Sequence, residues 1–248
     1  MDKSKVDKTD INEPVRLNKY MSDAGFCSRR EADRLIEEGK VLINGKPAEM
    51  GQKVGPSDTV TVGGKKVERT SEMVLIAFNK PVGIECTTDK DNPDNIIDYI
   101  RYPERIYPIG RLDKNSSGLI LLTNTGSLVN AIMKASNYHE KEYVVKVNKP
   151  ITKDFLLQMS KGVAILETVT RPCRIQALDR TTFDITLTQG LNRQIRRMCE
   201  ALGYKVVSLK RTRIMNITLG NLPEGHYRHV TEAEVNKLMK ELKNAEKK

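Results

Sequence analysis

The chain has 248 residues, enough for one or two domains with cores of their own, so a small scaffold stapled by disulfides is excluded. Lys and Arg number 42 against 32 Asp and Glu, and the net charge of +10 suits a polyanionic partner, nucleic acid first, better than a neutral metabolite. Apolar stretches such as Leu119–Leu122 fall far short of the roughly 20 residues of a membrane span, and four scattered cysteines with no CxxC pair imply neither a disulfide nor a metal.

Residues 1–13 are polar and carry charges of both signs, with no apolar stretch like that of a secretory signal, so a disordered start to a cytoplasmic protein is expected. Leu17, Met21 and Ala24 recur at helical spacing before Gly25, which predicts a helix over 15–24. Ser28 and Glu31 form a capping-box pattern ahead of Ala32, Leu35 and Ile36, predicting a second helix that ends before Gly39. Asn44 and Gly45 between short apolar runs read as a two-residue hairpin turn, and TVTVGGKKV at 59–67 repeats the theme. Residues 14–67 thus read as one small module, followed by a polar linker, ERTSE, at 68–72.

Beyond the linker, MVLIAFNKP reads as a buried strand stopped by Pro81. Strand-like runs at 119–123, 142–147, 173–178, 182–188, 205–210 and 213–219 mix with helix-like runs at 94–101, 126–135, 152–160 and 192–202. Several strands follow one another directly. Residues 73–248 are therefore expected to be α+β, a mixed and mainly antiparallel sheet with flanking helices, and not a doubly wound fold. Thr231 and Glu234 form another capping box and open a last helix that frays into KNAEKK.

The basic residues are unevenly spread. Residues 1–70 hold 14 basic and 12 acidic side chains, whereas residues 190–213 hold seven basic and one acidic, so the last third is expected to face negative charge. Arg16, Lys19, Arg29, Arg30 and Arg34 gather around the first two helices, and Arg30 and Arg34, four apart, project away from Ala32 and Ile36. A solvated face of ion pairs to Glu31, Asp33, Glu37 and Glu38 would use the same residues. The stretch RLNKYMSDAGFCSRREADRLIEEGKVLINGKPA resembles the alpha-L RNA-binding module, and that resemblance implies that these cations track structured RNA.

The segment IGRLDKNSSGLILLTNTG places Arg111 and Asp113 in a polar turn just before an apolar strand, so Asp113 is held by a rigid element. An aspartate in such a turn commonly accepts bonds from nearby amides, and Tyr143 by strand propensity alone is a core residue. The pattern GRLDxxSxGL resembles the catalytic motif of the pseudouridine synthases, in the branch represented by RsuA and RluF. KEYVV at 141–145 and GLNRQIRRMCEALGYKVVSLKRTRI at 190–214 agree with it in order and spacing, and the resemblance runs from about residue 14 to about residue 235. Its wording is nearest to members acting on large-subunit rRNA. The resemblance implies catalytic roles for Asp113, Tyr143 and Arg196, the last as the cation paired with the aspartate. It implies substrate contacts for Arg111, Arg193 and Arg197.

Isomerising uridine breaks a nitrogen–carbon bond and makes a carbon–carbon bond with no change in atoms, so no cofactor is needed. A carboxylate can add to an electron-poor centre and later leave, and a phenol can stack on the uracil near the proton lost at the end. A folded RNA hides its bases, so the uridine must first be extruded. The expected partner is structured RNA, large-subunit rRNA foremost and tRNA second, bound by a monomer that touches no membrane. Some members of the branch carry a longer basic tail than this chain, so a narrower substrate range is expected. The competing reading, a non-catalytic RNA-binding or ribosome-assembly protein on the same fold, requires a broken site, whereas Asp113, Tyr143 and Arg196 are all present. A serine hydrolase lacks its GxSxG turn and a nucleotide-dependent methyltransferase its GxGxxG turn.

Overall fold

A computed structural model describes residues 13–68, 72–89, 91–134 and 138–246. The expected disordered start lies outside these residues except for Glu13, and so do residues 69–71 of the expected linker, residue 135 of an expected helix and the last two residues. Contacts divide the chain into two compact units. One takes the chain up to Val74 together with Pro103–Ile106 and Asn124–Gly126, and the other takes Leu75–Tyr102, Tyr107–Thr123 and Ser127–Lys248.

In the first unit, β1 (Val15–Arg16) leads into α1 (Leu17–Asp23) and α2 (Arg29–Glu37), followed by β2 (Val41–Ile43), β3 (Lys46–Pro47), β4 (Lys53–Val54), β5 (Val60–Val62) and β6 (Lys65–Lys66). The helix expected from residue 15 starts two residues later, because Val15 and Arg16 pair antiparallel with Val54 and Lys53. Ser28 caps α2 by accepting the Glu31 N–H at 3.0 Å, but the Glu31 carboxylate turns to Arg34 at 2.6 Å and leaves the box half-made. Asn44 and Gly45 both take positive φ, 51° and 79°, as the hairpin between β2 and β3 demands. Leu17, Met21, Ala32 and Ile36 from the helices meet Val41, Ile43, Val54 and Val60 from the strands in one buried cluster.

The second unit holds β7 (Leu75–Lys80), α3 (Ile96–Ile100), β8 (Tyr107–Pro108), β9 (Ser117–Thr123), α4 (Gly126–Met133), β10 (Lys141–Val147), α5 (Lys153–Lys161), β11 (Ala164–Ile165), β12 (Thr168–Val169), β13 (Arg174–Ala177), β14 (Thr182–Leu187), α6 (Gln194–Ala201), β15 (Val206–Ile214), β16 (Ile217–Thr218), β17 (Tyr227–His229) and α7 (Glu232–Glu246). Among the described residues nine strands make one mixed sheet, in the order β13-β14-β10-β15-β9-β7-β17 with β16 beside β15 and β8 beside β9. Every pairing is antiparallel except β15 with β9. Residues Leu75–Lys80 of β7 are buried throughout, and the sheet is covered on both faces there. Toward β10 and β14 Tyr143, Val145 and Val147 alternate with more exposed residues, Phe183 and Ile185 are buried opposite them, and the Phe155 ring of α5 lies 5.6 Å from that of Phe183.

The strand expected at 205–210 runs on to Ile214, and after a tight turn at Met215 and Asn216, where Met215 takes a positive φ of 50°, β16 folds back antiparallel onto its end. The charged run KRTR continues the strand because Arg211 is buried in it and donates to the Leu119 carbonyl at 2.7 Å. The short strands β8, β11, β12 and β17, two or three residues each, carry too little alternation to register in sequence. No helix among the described residues is long and apolar enough to cross a membrane.

Candidate active site

Asp113 lies in the loop between β8 and β9, and that loop is tied down on several sides. The Leu112 N–H donates to the Cys86 sulfur at 3.3 Å, the Asp113 carbonyl accepts from the Ser116 N–H at 3.0 Å, and the Lys114 carbonyl accepts from the Gly83 N–H at 2.8 Å. Leu112 is buried while the Asp113 side chain keeps 35% of its surface, so the carboxylate rests on a fixed base and still opens to an incoming ligand.

Helix α6 brings the cations. Arg196 sits on its buried face beside Ile195 and Cys199. Its guanidinium donates to the Asn115 carbonyl at 2.8 Å and to the Ser116 hydroxyl at 3.1 Å, and its Nε lies 3.8 Å from Asp113 Oδ2. That buried Nε has no hydrogen-bond partner among the described residues. Burial, and then the Arg193 guanidinium, pushes Arg196 below its ordinary value, while Asp113 opposes them. Arg193 itself stands 3.6 Å from Asp113 Oδ2 and caps α6 with a left-handed backbone, φ 50° and ψ 34°. A side chain other than glycine in that region is strained by about 1 kcal/mol or more, and such strain persists where the surroundings impose it.

The floor of the site is a row running across the sheet. Tyr143 on β10 faces Arg211 on β15, Arg211 faces Gly118 on β9, and Gly118 faces Lys80 on β7. Strand spacing puts Tyr143 and Gly118 about 10 Å apart across the backbone. Lys80 is fully buried and donates to the carbonyls of Pro81 and Ile84, both at 2.7 Å, which holds the loop that carries Gly83 and Cys86. Burial holds Lys80 below the usual lysine range, with Cys86 and Asp113 opposing. Burial likewise raises the Cys86 thiol, which stays protonated under ordinary conditions.

Asp113, Arg193 and Arg196 therefore come together. Tyr143, buried to 9% exposure, lies in the row that holds Arg211, Gly118 and Lys80, and Arg111 is exposed two residues before the aspartate. Arg197 turns back onto the Asn192 carbonyl at 3.1 Å and its side-chain oxygen at 3.3 Å, so its guanidinium braces the turn before α6. In the first unit Arg16, Arg29, Arg30 and Arg34 are exposed, but Arg34 is held by Glu31 and Lys19 by Asp23 at 2.7 Å. Lys80, Cys86 and Arg211 were not singled out by the sequence reading. The signal that could have found Cys86 and Lys80 is their place around the Pro81 stop, and for Arg211 it is alternation with Leu209. All four cysteines are free thiols, and burial raises Cys173 to about 11 and Cys199 to about 12.

Residues 74–201 match the family described as RNA pseudouridylate synthase, and residues 15–60 match the S4 domain. The chain is 54% identical over 233 residues to the dual-specificity RNA pseudouridine synthase RluF of Escherichia coli, a likeness covering 93% of this chain and 80% of that protein. It is 40% identical over 232 residues to ribosomal large subunit pseudouridine synthase B of Bacillus subtilis, covering 90% and 95%. Among solved structures it is similar to a crystal structure of pseudouridylate synthase, with a TM-score of 0.68 at 30% identity over 90% of this chain and 99% of that one.

Proposed function

The chain belongs to the RNA pseudouridine synthase family, and from that premise we propose that it isomerises one uridine of large-subunit rRNA, with Asp113 as the catalytic carboxylate. The observation that carries this reading is the meeting of Asp113 Oδ2 with two guanidiniums, Arg193 at 3.6 Å and Arg196 at 3.8 Å, on a loop braced from below. The carboxylate meets the electron-poor centre that forms as the bond from N1 to C1′ breaks. The uracil turns, its C5 joins C1′, the proton on C5 leaves toward the Tyr143 phenol and N1 regains one, so the product has the atoms of the substrate. Arg196 offsets the charge of the carboxylate, Arg111 and Arg193 face the extruded nucleotide and its phosphates, and Arg197 joins them by exchanging its Asn192 contacts for the RNA.

The cations Arg16, Lys19, Arg29, Arg30 and Arg34 of residues 14–67 grip structured RNA, residues 68–72 link, and residues 73–248 hold the chemistry. The S4 match over 15–60 and the synthase match over 74–201 support this division. The name of the Bacillus subtilis relative supports large-subunit rRNA as substrate, and tRNA is the second RNA to assay. The setting is the bacterial cytoplasm, and the working form a monomer. Asp113→Asn should abolish pseudouridine formation on rRNA transcripts while leaving RNA affinity within about twofold. An active Asn variant would refute the assignment.

A further inference from the structure

Lys141 opens β10 two residues before Tyr143, about 7 Å along the strand, so the two side chains share the face of the sheet that Arg211 also presents. Its ammonium is half-buried, yet among the described residues it has neither a hydrogen bond nor an ion pair. The residues opposite it are apolar, Leu187 on β14 and Ile214 on β15. The titratable and charged groups on that side are the Tyr143 phenol, the Arg211 guanidinium and, beyond Gly118, the Lys80 ammonium. Burial, with the Arg211 guanidinium added to it, pushes Lys141 down to about 8.

A half-buried cation beside a buried guanidinium, with no anion paired to either among the described residues, is a costly arrangement. One buried nitrogen of Arg211, Nη2, is itself without a partner among the described residues. The carboxylate of the candidate site, Asp113, is already shared between Arg193 and Arg196. An anionic ligand would offset both cations. Resting on the uridine-isomerising function proposed above, we infer that Lys141 engages the substrate, its ammonium meeting a negatively charged oxygen of the extruded nucleotide. The oxygen belongs to a flanking phosphate, or to the uracil while it carries the electron pair of the broken glycosidic bond. An ammonium on a flexible stem is a compact point charge with three donors and suits either source. No bond to Lys141 forms or breaks, so the atom and electron balance of the isomerisation is unchanged.

The test measures kcat and KM of the full-length protein on a large-subunit rRNA transcript between about pH 6 and pH 10. Wild type should lose kcat/KM as pH rises through about 8. Lys141→Arg should keep its activity on that alkaline side, because the guanidinium stays charged. Lys141→Met should lose about tenfold or more near neutrality. A loss carried by KM, with the log–log salt slope reduced by about 0.7–0.9, assigns the oxygen to a phosphate, and a loss carried by kcat with KM unmoved assigns it to the uracil. Lys141→Met within about twofold of wild type in both constants overturns the inference, as does an alkaline limb that persists in Lys141→Arg. Should Lys141→Met fail to fold, the Arg profile alone decides. A wild type silenced by Asp113→Asn yet indifferent to Lys141→Met leaves the proposed function standing without this addition. A wild type that forms no pseudouridine overturns both.

Discussion

A methyl group added at Gly118 would lie 2.3 Å from the Arg211 carbonyl oxygen and 2.7 Å from its nitrogen, and the φ of +101° there is one that L side chains rarely adopt. Both atoms are backbone of the neighbouring strand and cannot swing aside. Gly118→Ala should therefore cost about 3 kcal/mol, a fall in Tm of roughly 6–12 °C read by thermal unfolding. An unchanged Tm would show that β9 and β15 separate freely. Arg193 makes the opposite case. Its left-handed backbone costs nothing for glycine, so Arg193→Gly should change stability by less than about 1 kcal/mol while lowering kcat/KM by about tenfold or more. Equal losses in melting and turnover would make Arg193 a structural residue. At this scale Asp113, Arg193 and Arg196 were legible because they sit in motifs. Lys80 and Arg211 were not, since a charged side chain is ordinarily placed outside, and only the carbonyls of Pro81, Ile84 and Leu119 explain how these two are accommodated.

Helix α7 starts from a reciprocal cap, in which the Glu234 N–H donates to the Thr231 hydroxyl at 3.3 Å and the Thr231 N–H to the Glu234 carboxylate at 2.9 Å. Arg228 of β17 adds a two-pronged pair to the same carboxylate, at 2.7 and 2.8 Å, and with the Thr231 bonds it holds the Glu234 carboxyl at about 2. A carboxyl held below its unfolded value of 4.5 adds stability that is whole above about pH 4.5 and drains away as pH falls toward 2. Discounted for the solvent that reaches the pair, Glu234→Gln should cost about 1–2 kcal/mol at neutral pH and flatten the acid limb of the stability curve measured by denaturant titration. An acid limb identical to wild type would remove the cap from the account. Both capping boxes were visible as Ser28 with Glu31 and Thr231 with Glu234, but spacing does not say which way a carboxylate turns. Glu31 goes to Arg34, the i,i+3 helix pair winning over the cap, while Glu234 serves cap and cation together.

The excess of positive charge divides between two jobs at the scale of the whole chain. In the first unit Arg30 is exposed without an ion pair among the described residues, whereas Arg34 is 2.6 Å from Glu31 and 3.9 Å from Glu38. Arg30→Ala should thus reduce the log–log salt slope of rRNA binding by about 0.7–0.9 for a lost phosphate contact, with a smaller change for Arg34→Ala. Equal slopes for wild type and Arg30→Ala would return this arginine to the solvated face. The α+β class and the mainly antiparallel sheet were readable from strand runs that follow one another directly. The pairing of β15 with β9 was not, because it joins Lys210 and Arg211 to Ser117 and Gly118, far back in the sequence, and no local pattern encodes it. That one parallel seam has a consequence for biosynthesis. A chain emerging from the ribosome completes the unit with the exposed arginines while the partner strand for Ser117 and Gly118 has yet to be translated. Affinity for nucleic acid should accordingly precede turnover during synthesis, and a nascent chain halted before residue 206 should capture RNA without altering it.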